Sequence, residues 1–466
     1  MELVPELRTK HQSLLRRVAS LPAELDSWIR WSAAGKSLEK NFSQVKALDH
    51  FMRTLYGLIE VNAKELGSVS DVDAFLSRSF DLAASVIKSQ IVWDFFRSRL
   101  ELRFMPHFHR SLLVADLVSY DCYVTIIDRA RALQIVPSSG FREYPLTGLM
   151  ARFSPVTWPR GGRPPALQNG CLPVPVIDLP WQQLVNPWEL LAIAHEVGHD
   201  VDEDLGQVTL GLRPVITNRL MEVKAPAQRL IKWQEWISEI LADLVGILLT
   251  GPAYGAMLAE LLTLPRNQVR YLDPSDDHPP HYLRMFINAA VVRRLGLTHY
   301  ATYLEDGWKT LYGEPSDEFG PYLGDIEPIV SSVLDSSIDA LRDRHGRRHS
   351  LSELIVFTSE DQTRIEDAAA DLSAGVPPGK PLPIRHVVSA SQVAFRQMAN
   401  TGGAVRSEEL AHRTQETIIA LAPAPQLSAG LASGRARKRL DDLVHTLIER
   451  PLDDFDIHLS SATEDT

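Results

Sequence analysis

Cysteine is scarce in this chain of 466 residues, and the scarcity excludes a disulfide-stabilised fold. The two cysteines, Cys122 and Cys171, are too few for a disulfide framework and lack the spacing of metal ligands. Residues 1–18 also lack the apolar core of a secretory signal peptide. Both absences favour a reducing compartment, so we expect a cytoplasmic protein.

An excess of positive charge and long apolar runs are lacking as well. The chain has 48 Lys and Arg against 59 Asp and Glu. This balance argues against nucleic acid as a partner, because phosphate binding needs a basic face. The most apolar stretch, 240–264, is interrupted by Gly251 and Pro252 and carries Asp243 and Glu260. It therefore predicts two buried helices and no membrane span.

What the chain does contain is typical of a globular protein, with 45% hydrophobic and 23% charged residues. Its length allows two or three domains. We predict a helical region at 1–135, a core at 136–313 and a second helical region at 314–466. The last region should have loops at 373–383 and 422–434 and a frayed acidic tail. The expected fold class is mainly α with a small mixed β-sheet (α+β).

Short strands are expected between 136 and 185, where prolines cluster. The best candidates are 149–153 and 172–179. Pro173 and Pro175 lie two apart in the second candidate, so both missing N–H groups fall on the same side of the strand. We therefore predict that 172–179 is an edge strand of the sheet.

The stretch that carries the most chemistry is 190–200, which reads LLAIAHEVGHD. On a helix, His195 and His199 project from one face about a turn apart, close enough to hold one metal ion. Glu196 could then take a proton from a metal-bound water, as in zinc hydrolases.

The helix that carries this motif has clear start signals. Asn186, Pro187 and Glu189 offer an N-cap, a proline at the first helical position and a Glu three residues after the cap. The surrounding apolar residues predict that the helix is buried, so its ionisable groups need partners. The alternative is a pair of core histidines satisfied by neighbouring carboxylates.

A third ligand is required, since a catalytic zinc usually has three protein ligands and one open position. The downstream candidates are Glu222, Glu235, Glu239 and His278. We choose Glu239 because 233–250 predicts an apolar helix with one stripe of polar or small residues. Ala242 and Gly246 in that stripe would allow a close approach to the motif helix. Asp243 could accept the outer N–H of a ligating histidine; the alternative is a solvated acidic face.

These residues resemble the gluzincin metallopeptidases, which include thermolysin-like enzymes and the CAAX-processing membrane peptidases. The similarity rests on the H-E-x-x-H of 195–199 and the E-I-L-A-D of 239–243, and it covers about 174–294. It implies a zincin-like catalytic core between helical flanks, in which both histidines and Glu239 bind Zn²⁺. By the same resemblance, Asp243 supports a ligating histidine.

A further stretch, 277–284, reads DHPPHYLR and resembles the His-Pro-Pro segment and the following Arg of the CAAX-type peptidases. The resemblance implies that His278 donates to the oxyanion formed when water attacks a carbonyl. It also implies that Arg284 pairs with an active-site carboxylate. The alternative is a capped helix with a surface His and a salt-bridged Arg.

Together these features predict a zinc-dependent metallopeptidase that acts on a peptide or protein substrate with Glu196 as general base. An endopeptidase is expected rather than an exopeptidase. In related enzymes an edge strand holds the substrate extended, which points to 172–179. One alternative is a helical regulatory protein with a structural or vestigial zinc site, whose flanks bind a protein partner. Another is a zinc amidase that acts on a non-peptide amide.

Overall fold

The computed structural model describes most of the chain. The described ranges are 5–135, 143–162, 164, 172–273, 275–316, 318–400, 407–423 and 434–449. Cys171, residues 424–433 of the predicted loop 422–434, and the predicted acidic tail lie outside these ranges. Within them, no helix combines the length and the apolarity needed to cross a membrane.

The described chain is mainly helical, as its helical periodicity predicts. The α-helices are α1 (Pro5–Ser20), α2 (Ala23–Trp31), α3 (Phe42–Leu66), α4 (Val72–Glu101), α5 (Pro106–Ala132), α6 (Trp181–Val185), α7 (Ala192–Asp204), α8 (Val208–Glu222), α9 (Ala227–Glu235), α10 (Ile237–Thr250), α11 (Pro252–Leu261), α12 (Arg266–Val269), α13 (His281–Arg294), α14 (Thr298–Tyr312), α15 (Gly320–Asp335), α16 (Leu351–Leu354), α17 (Ser359–Ala374), α18 (Ile384–Asn400), α19 (Ser407–Ala420) and α20 (Gly434–Glu449).

Two small sheets accompany the helices. The strands are β1 (Leu146–Leu149), β2 (Val156–Trp158), β3 (Val176–Leu179), β4 (Ile338–Arg342) and β5 (Arg348–His349). In the first sheet the order is β1-β3-β2, with β3 parallel to β1 and antiparallel to β2. The predicted small mixed sheet is therefore confirmed. The second sheet is an antiparallel pair, β4-β5, within the region 314–466 that was expected to be helical.

The prediction that 172–179 is an edge strand is wrong. Only Val176–Leu179 is paired, and it forms the central strand of its sheet. Pro173 and Pro175 precede the paired residues, so their missing N–H groups interrupt neither ladder. The predicted strand 149–153 is also displaced, because β1 ends at residue 149. The edges of this sheet are β1 and β2.

Contacts within the chain divide it into two compact units. One unit comprises Met1–Met105, Arg160–Pro175 and Pro425–Thr466, and the other comprises Pro106–Pro159 and Val176–Ala424. In the first unit, α1, α2, α4 and α20 all pack on α3. In the same unit the indole N–H groups of two buried residues, Trp28 and Trp93, donate to the partly exposed carboxylate of Glu24 at 3.2 and 2.9 Å.

The second unit contains the motif helix α7, which packs against α10. Gly198 of α7 faces Ala242 of α10 so closely that a Cβ at position 198 would lie 2.8 Å from the Ala242 Cα. The close approach expected from Ala242 is therefore confirmed. Gly246 has a different role, since a Cβ there would lie 2.8 Å from the ring of Tyr254. Its lack of a side chain makes room for that ring.

Candidate metal centre

Helix α7 begins at Ala192, after a 3-10 turn at Pro187–Leu191. The expected cap at Asn186 is not formed. Its side chain makes no capping hydrogen bond, and its amide donates instead to Oε1 of Glu189 at 2.8 Å. The reason is local geometry, since a 3-10 turn follows Asn186 where the sequence predicted the first α-helical turn. The motif nevertheless lies on a helix, as predicted.

Helix α10 brings Glu239 to the two histidines of α7. The predicted continuous helix 233–250 is divided, because α9 ends at Glu235 and α10 begins at Ile237. Glu239 therefore stands in the first turn of its own helix, where the helix dipole favours a negative charge. Glu235 remains exposed and pairs with Lys232.

Three side chains converge on one point. Nε2 of His195 lies 3.3 Å from Nε2 of His199 and 3.3 Å from Oε2 of Glu239. Nε2 of His199 lies 3.4 Å from Oε1 of Glu239. In a tetrahedral zinc site with bonds of about 2.0–2.1 Å, neighbouring ligand atoms are about 3.3–3.4 Å apart. The three residues thus form a group that could bind a metal ion.

The orientation of His195 is fixed by hydrogen bonds to its other ring nitrogen. Nδ1 lies 2.9 Å from Oδ1 of Asp243, so it carries the proton and donates. The Tyr254 hydroxyl donates to the same oxygen at 2.6 Å and lies 3.1 Å from Nδ1. With Nδ1–H engaged, the Nε2 lone pair is left for a metal.

Asp243 is itself held by helix α13. Arg284 donates from Nε to Oδ2 at 2.7 Å and from Nη2 to Oδ1 at 2.9 Å, and Asn288 donates to Oδ2 at 3.2 Å. Burial opposes ionisation of Asp243, but the guanidinium and His195 outweigh it and hold its pKa well below the usual range. Asp243 is therefore a fixed anion, and a two-point ion pair locks its position.

The charges of the cluster depend on one another. Burial opposes protonation of His195, but the hydrogen bonds and charges of Asp243 and Glu239 raise its pKa to about 10. Burial also opposes ionisation of Glu239, yet His195 and His199 hold its pKa far below the usual range. In the absence of a metal the cluster thus keeps a proton, which a bound cation would displace.

His199 and Glu196 complete the set on α7. Nδ1 of His199 lies 3.3 Å from the hydroxyl of Ser238. Ser238 directly precedes Glu239 in the chain. Glu196 is 7% exposed, and its carboxylate forms no hydrogen bond with any described residue. Burial raises the pKa of Glu196, with the charges of the two histidines acting in the opposite direction.

His278 and Arg284 occupy different environments. The His278 side chain is 48% exposed, with Nδ1 2.9 Å from Asp276 and Nε2 3.5 Å from Oε2 of Glu239. Arg284 is buried against Asp243, and its Nη2 lies 3.5 Å from Oε2 of Glu239. The structure thus brings both residues to the edge of the cluster, one on its open side and one on its buried side.

The cluster opens into a cavity of about 650 Å³. The segment 153–157, which includes the start of β2, lines one side, and His278 lines another. A third side is apolar and comes from α11 and the residues after it, through Met257, Leu258 and Leu261. The candidate metal ligands and Glu196 therefore face a cavity with one apolar side.

Three supporting residues were not predicted from the sequence. Tyr254, Asn288 and Ser238 contact the candidate ligands or Asp243. Tyr254 and Asn288 have no sequence spacing to the motif that would identify them. Ser238 has one weak signal, since it directly precedes Glu239. Tyr254 comes from the helix that follows the break at Gly251, so its contact depends on the angle between α10 and α11.

Comparison with known proteins gives no identification, because no protein family, curated protein or solved structure matches this chain. The fold and the site define a mainly helical protein with one candidate metal centre of two histidines and one glutamate in the described residues.

Proposed function

We propose that the protein is a zinc-dependent metallopeptidase with His195, His199 and Glu239 as metal ligands. The observation that carries the proposal is the spacing of 3.3–3.4 Å among their donor atoms, beside the buried carboxylate of Glu196. In this proposal α7 and α10 are the central helices of a zincin-like catalytic core.

Each residue of the site has a defined part in hydrolysis. Bound to these ligands, Zn²⁺ would polarise the scissile carbonyl and lower the pKa of a water towards neutrality. Glu196 accepts the proton of the attacking water and passes it to the leaving amine. Burial raises the pKa of Glu196, which makes its carboxylate a stronger base. Asp243 and Tyr254 keep His195 oriented.

We infer a catalytic rather than a structural zinc site, because the candidate ligand group in the described residues has three members. A structural site would be closed by a fourth ligand, for which His278 is the nearby candidate. The group whose ligand atoms all lie within 4.8 Å of one another contains both motif histidines and Glu239 but not His278. His278 instead lies on the open side of the cluster, where we assign it to the oxyanion.

We assign substrate binding to the free edge of β2 instead of 172–179. Among the described strands, β2 pairs only with β3, and Val156 and Thr157 line the cavity. The Thr157 hydroxyl donates to Asp200 of α7 at 3.0 Å, which ties this strand to the motif helix. An extended peptide can add to such an edge through backbone hydrogen bonds. The apolar wall of α11 favours an apolar side chain next to the scissile bond.

The proposal is tested by hydrolysis of a peptide library by the zinc-loaded protein, read by mass spectrometry. We expect internal cleavage next to apolar residues, lowered about 10²-fold or more in Glu196→Gln. Glu235→Gln, which changes an exposed carboxylate on α9, is the matched control and should cleave as wild type does. Unchanged cleavage by Glu196→Gln would contradict the assignment of the base. Hydrolysis of non-peptide amides without hydrolysis of peptides would contradict the peptidase proposal and support the zinc amidase alternative.

A further inference from the structure

One face of α4 in the first unit carries a row of exposed apolar side chains. Val72, Leu76, Phe80 and Ile87 are 43%, 48%, 59% and 38% exposed, respectively. A single exposed apolar residue is ordinary, but a contiguous patch is informative. These four side chains expose roughly 350 Å² of apolar surface, a size at which surface patches often mark interaction sites.

The exposed residues belong to a regular seam along α4. Ala83 and Ile91, which are half-buried, lie on the same helical face. We call the full row the α4 seam; it comprises Val72, Leu76, Phe80, Ala83, Ile87 and Ile91. At 3.6 residues per turn, these positions fall within about 100° of the helix circumference. Their steps of three and four residues are those by which one helix packs along another.

The α4 seam is free of charge along most of its length. The charged residues at positions 74–91 lie on other faces of the helix: Arg78, Asp81 and Lys88. Asp73 and Asp94 flank the two ends of the seam. A continuous apolar row of this kind favours a partner with an equally apolar row, since a charge placed opposite it would be buried without a partner.

The steps of the α4 seam are four, four, three, four and four residues, which is the same order in both directions. An antiparallel second copy, related by a two-fold axis between positions 81 and 82, would therefore pair every seam residue with another seam residue: Val72 with Ile91, Leu76 with Ile87 and Phe80 with Ala83. The largest side chain then meets the smallest. In a parallel pair Phe80 would meet its own copy, and the two Asp94 carboxylates would repel each other.

We propose that the α4 seam is the interface of an antiparallel homodimer. Because about 57% of the surface in protein interfaces is apolar, roughly 350 Å² of apolar surface corresponds to roughly 600 Å² per copy. Two copies would bury roughly 1,200 Å² in total, the lower end of the range for specific interfaces. We therefore expect a dimer that dissociates on dilution. Helix α4 belongs to the first unit and the metal-site residues to the second, so this inference does not depend on the proposed peptidase.

The experiment is sedimentation velocity of the full chain over a dilution series. Wild type at tens of micromolar should have twice the 52.1 kDa mass of one chain and should dissociate on dilution. Phe80→Glu should weaken dimerisation about a hundredfold or more, because it buries a carboxylate without a partner. Leu210→Glu, at a comparably exposed residue of α8, is the matched control and should dimerise as wild type does. Wild-type protein that is monomeric at every concentration, or unchanged dimerisation of Phe80→Glu, would overturn the proposal.

Cysteine cross-linking tests the register, in chains that carry Cys171→Ser. Leu76→Cys and Ile87→Cys chains should form a disulfide-linked dimer when they are mixed and oxidised, because each position faces the other in the antiparallel pair. Neither variant should cross-link efficiently by itself. Cys122 is buried and should not compete. Cross-linking of Leu76→Cys with itself, or no cross-linking in the mixture, would overturn the antiparallel arrangement.

Discussion

Two buried polar side chains, one packed near each face of α11, differ in their hydrogen bonding. On the metal face, the carboxylate of Asp243 accepts hydrogen bonds from Tyr254, Arg284 and Asn288. Both oxygens of Asp243 are therefore hydrogen-bonded within the protein before any ligand binds. On the other face, Gln392 is fully buried, and neither of its amide atoms has a hydrogen-bond partner among the described residues.

The largest expected effect tests how far the metal face depends on its buried ion pair. Asp243→Ala leaves the Arg284 guanidinium buried without its anion, which should cost about 3–5 kcal/mol of unfolding free energy. Denaturant unfolding in EDTA measures the loss apart from any metal effect. The double variant Asp243→Ala with Arg284→Met should regain most of it. If the single variant is as stable as wild type, the ion pair does not organise this face.

A second prediction contrasts two buried histidines. Carboxylates raise the pKa of His195, whereas burial, aided by the charge of Arg385, lowers the pKa of His386 on α18 to about 4 from 6.5. His386 therefore takes up its proton more readily in the unfolded chain, so its stabilising contribution is full above about pH 6.5 and is lost as the pH falls towards 4. Between pH 7.5 and pH 5 the loss should be about 2 kcal/mol.

The measurement is denaturant unfolding at both pH values for wild type and His386→Phe. The variant should lose about 2 kcal/mol less than wild type does on acidification. An identical loss in the two proteins would show that His386 does not control the acid sensitivity of the protein.

A smaller effect is expected at Tyr254, whose hydroxyl supports Asp243 and His195. Tyr254→Phe keeps the ring beside Gly246 but removes the hydrogen bond at 2.6 Å. Loss of such support should weaken zinc binding about tenfold, or ~1.4 kcal/mol. Competition with a zinc chelator measures the change. Tyr312→Phe removes a tyrosine hydroxyl that donates to the backbone carbonyl of Leu264 at 3.0 Å, and should leave zinc affinity unchanged.

Helical spacing made much of the metal face predictable. His195 and His199 lie four apart on an apolar helix, and Glu239 and Asp243 lie four apart on another, so each pair had to share a face. Small residues at the crossing indicated that the two helices approach closely. The structure brings both motif histidines and Glu239 together as these patterns predict.

The rest depended on geometry that short sequence patterns do not carry. Pro173 and Pro175 indicated an edge strand, but they precede the paired residues, and pairing order is set by distant parts of the chain. Tyr254 contacts His195 because α10 and α11 meet at an angle at Gly251. In the sequence, Gln392 is an ordinary polar residue of an amphipathic helix. Its lack of hydrogen-bond partners among the described residues depends on how the surrounding helices pack.

The most direct test of the metal centre is metal content by mass spectrometry on protein purified without added metal. Wild type and Glu196→Gln should each hold about one zinc per chain, and Glu239→Ala should hold far less, because it removes a ligand while Glu196→Gln removes only the base. Glu235→Ala, on the neighbouring helix, should keep its zinc. Wild-type protein without zinc, even after reconstitution, would contradict the account and leave His195 and His199 as buried structural histidines.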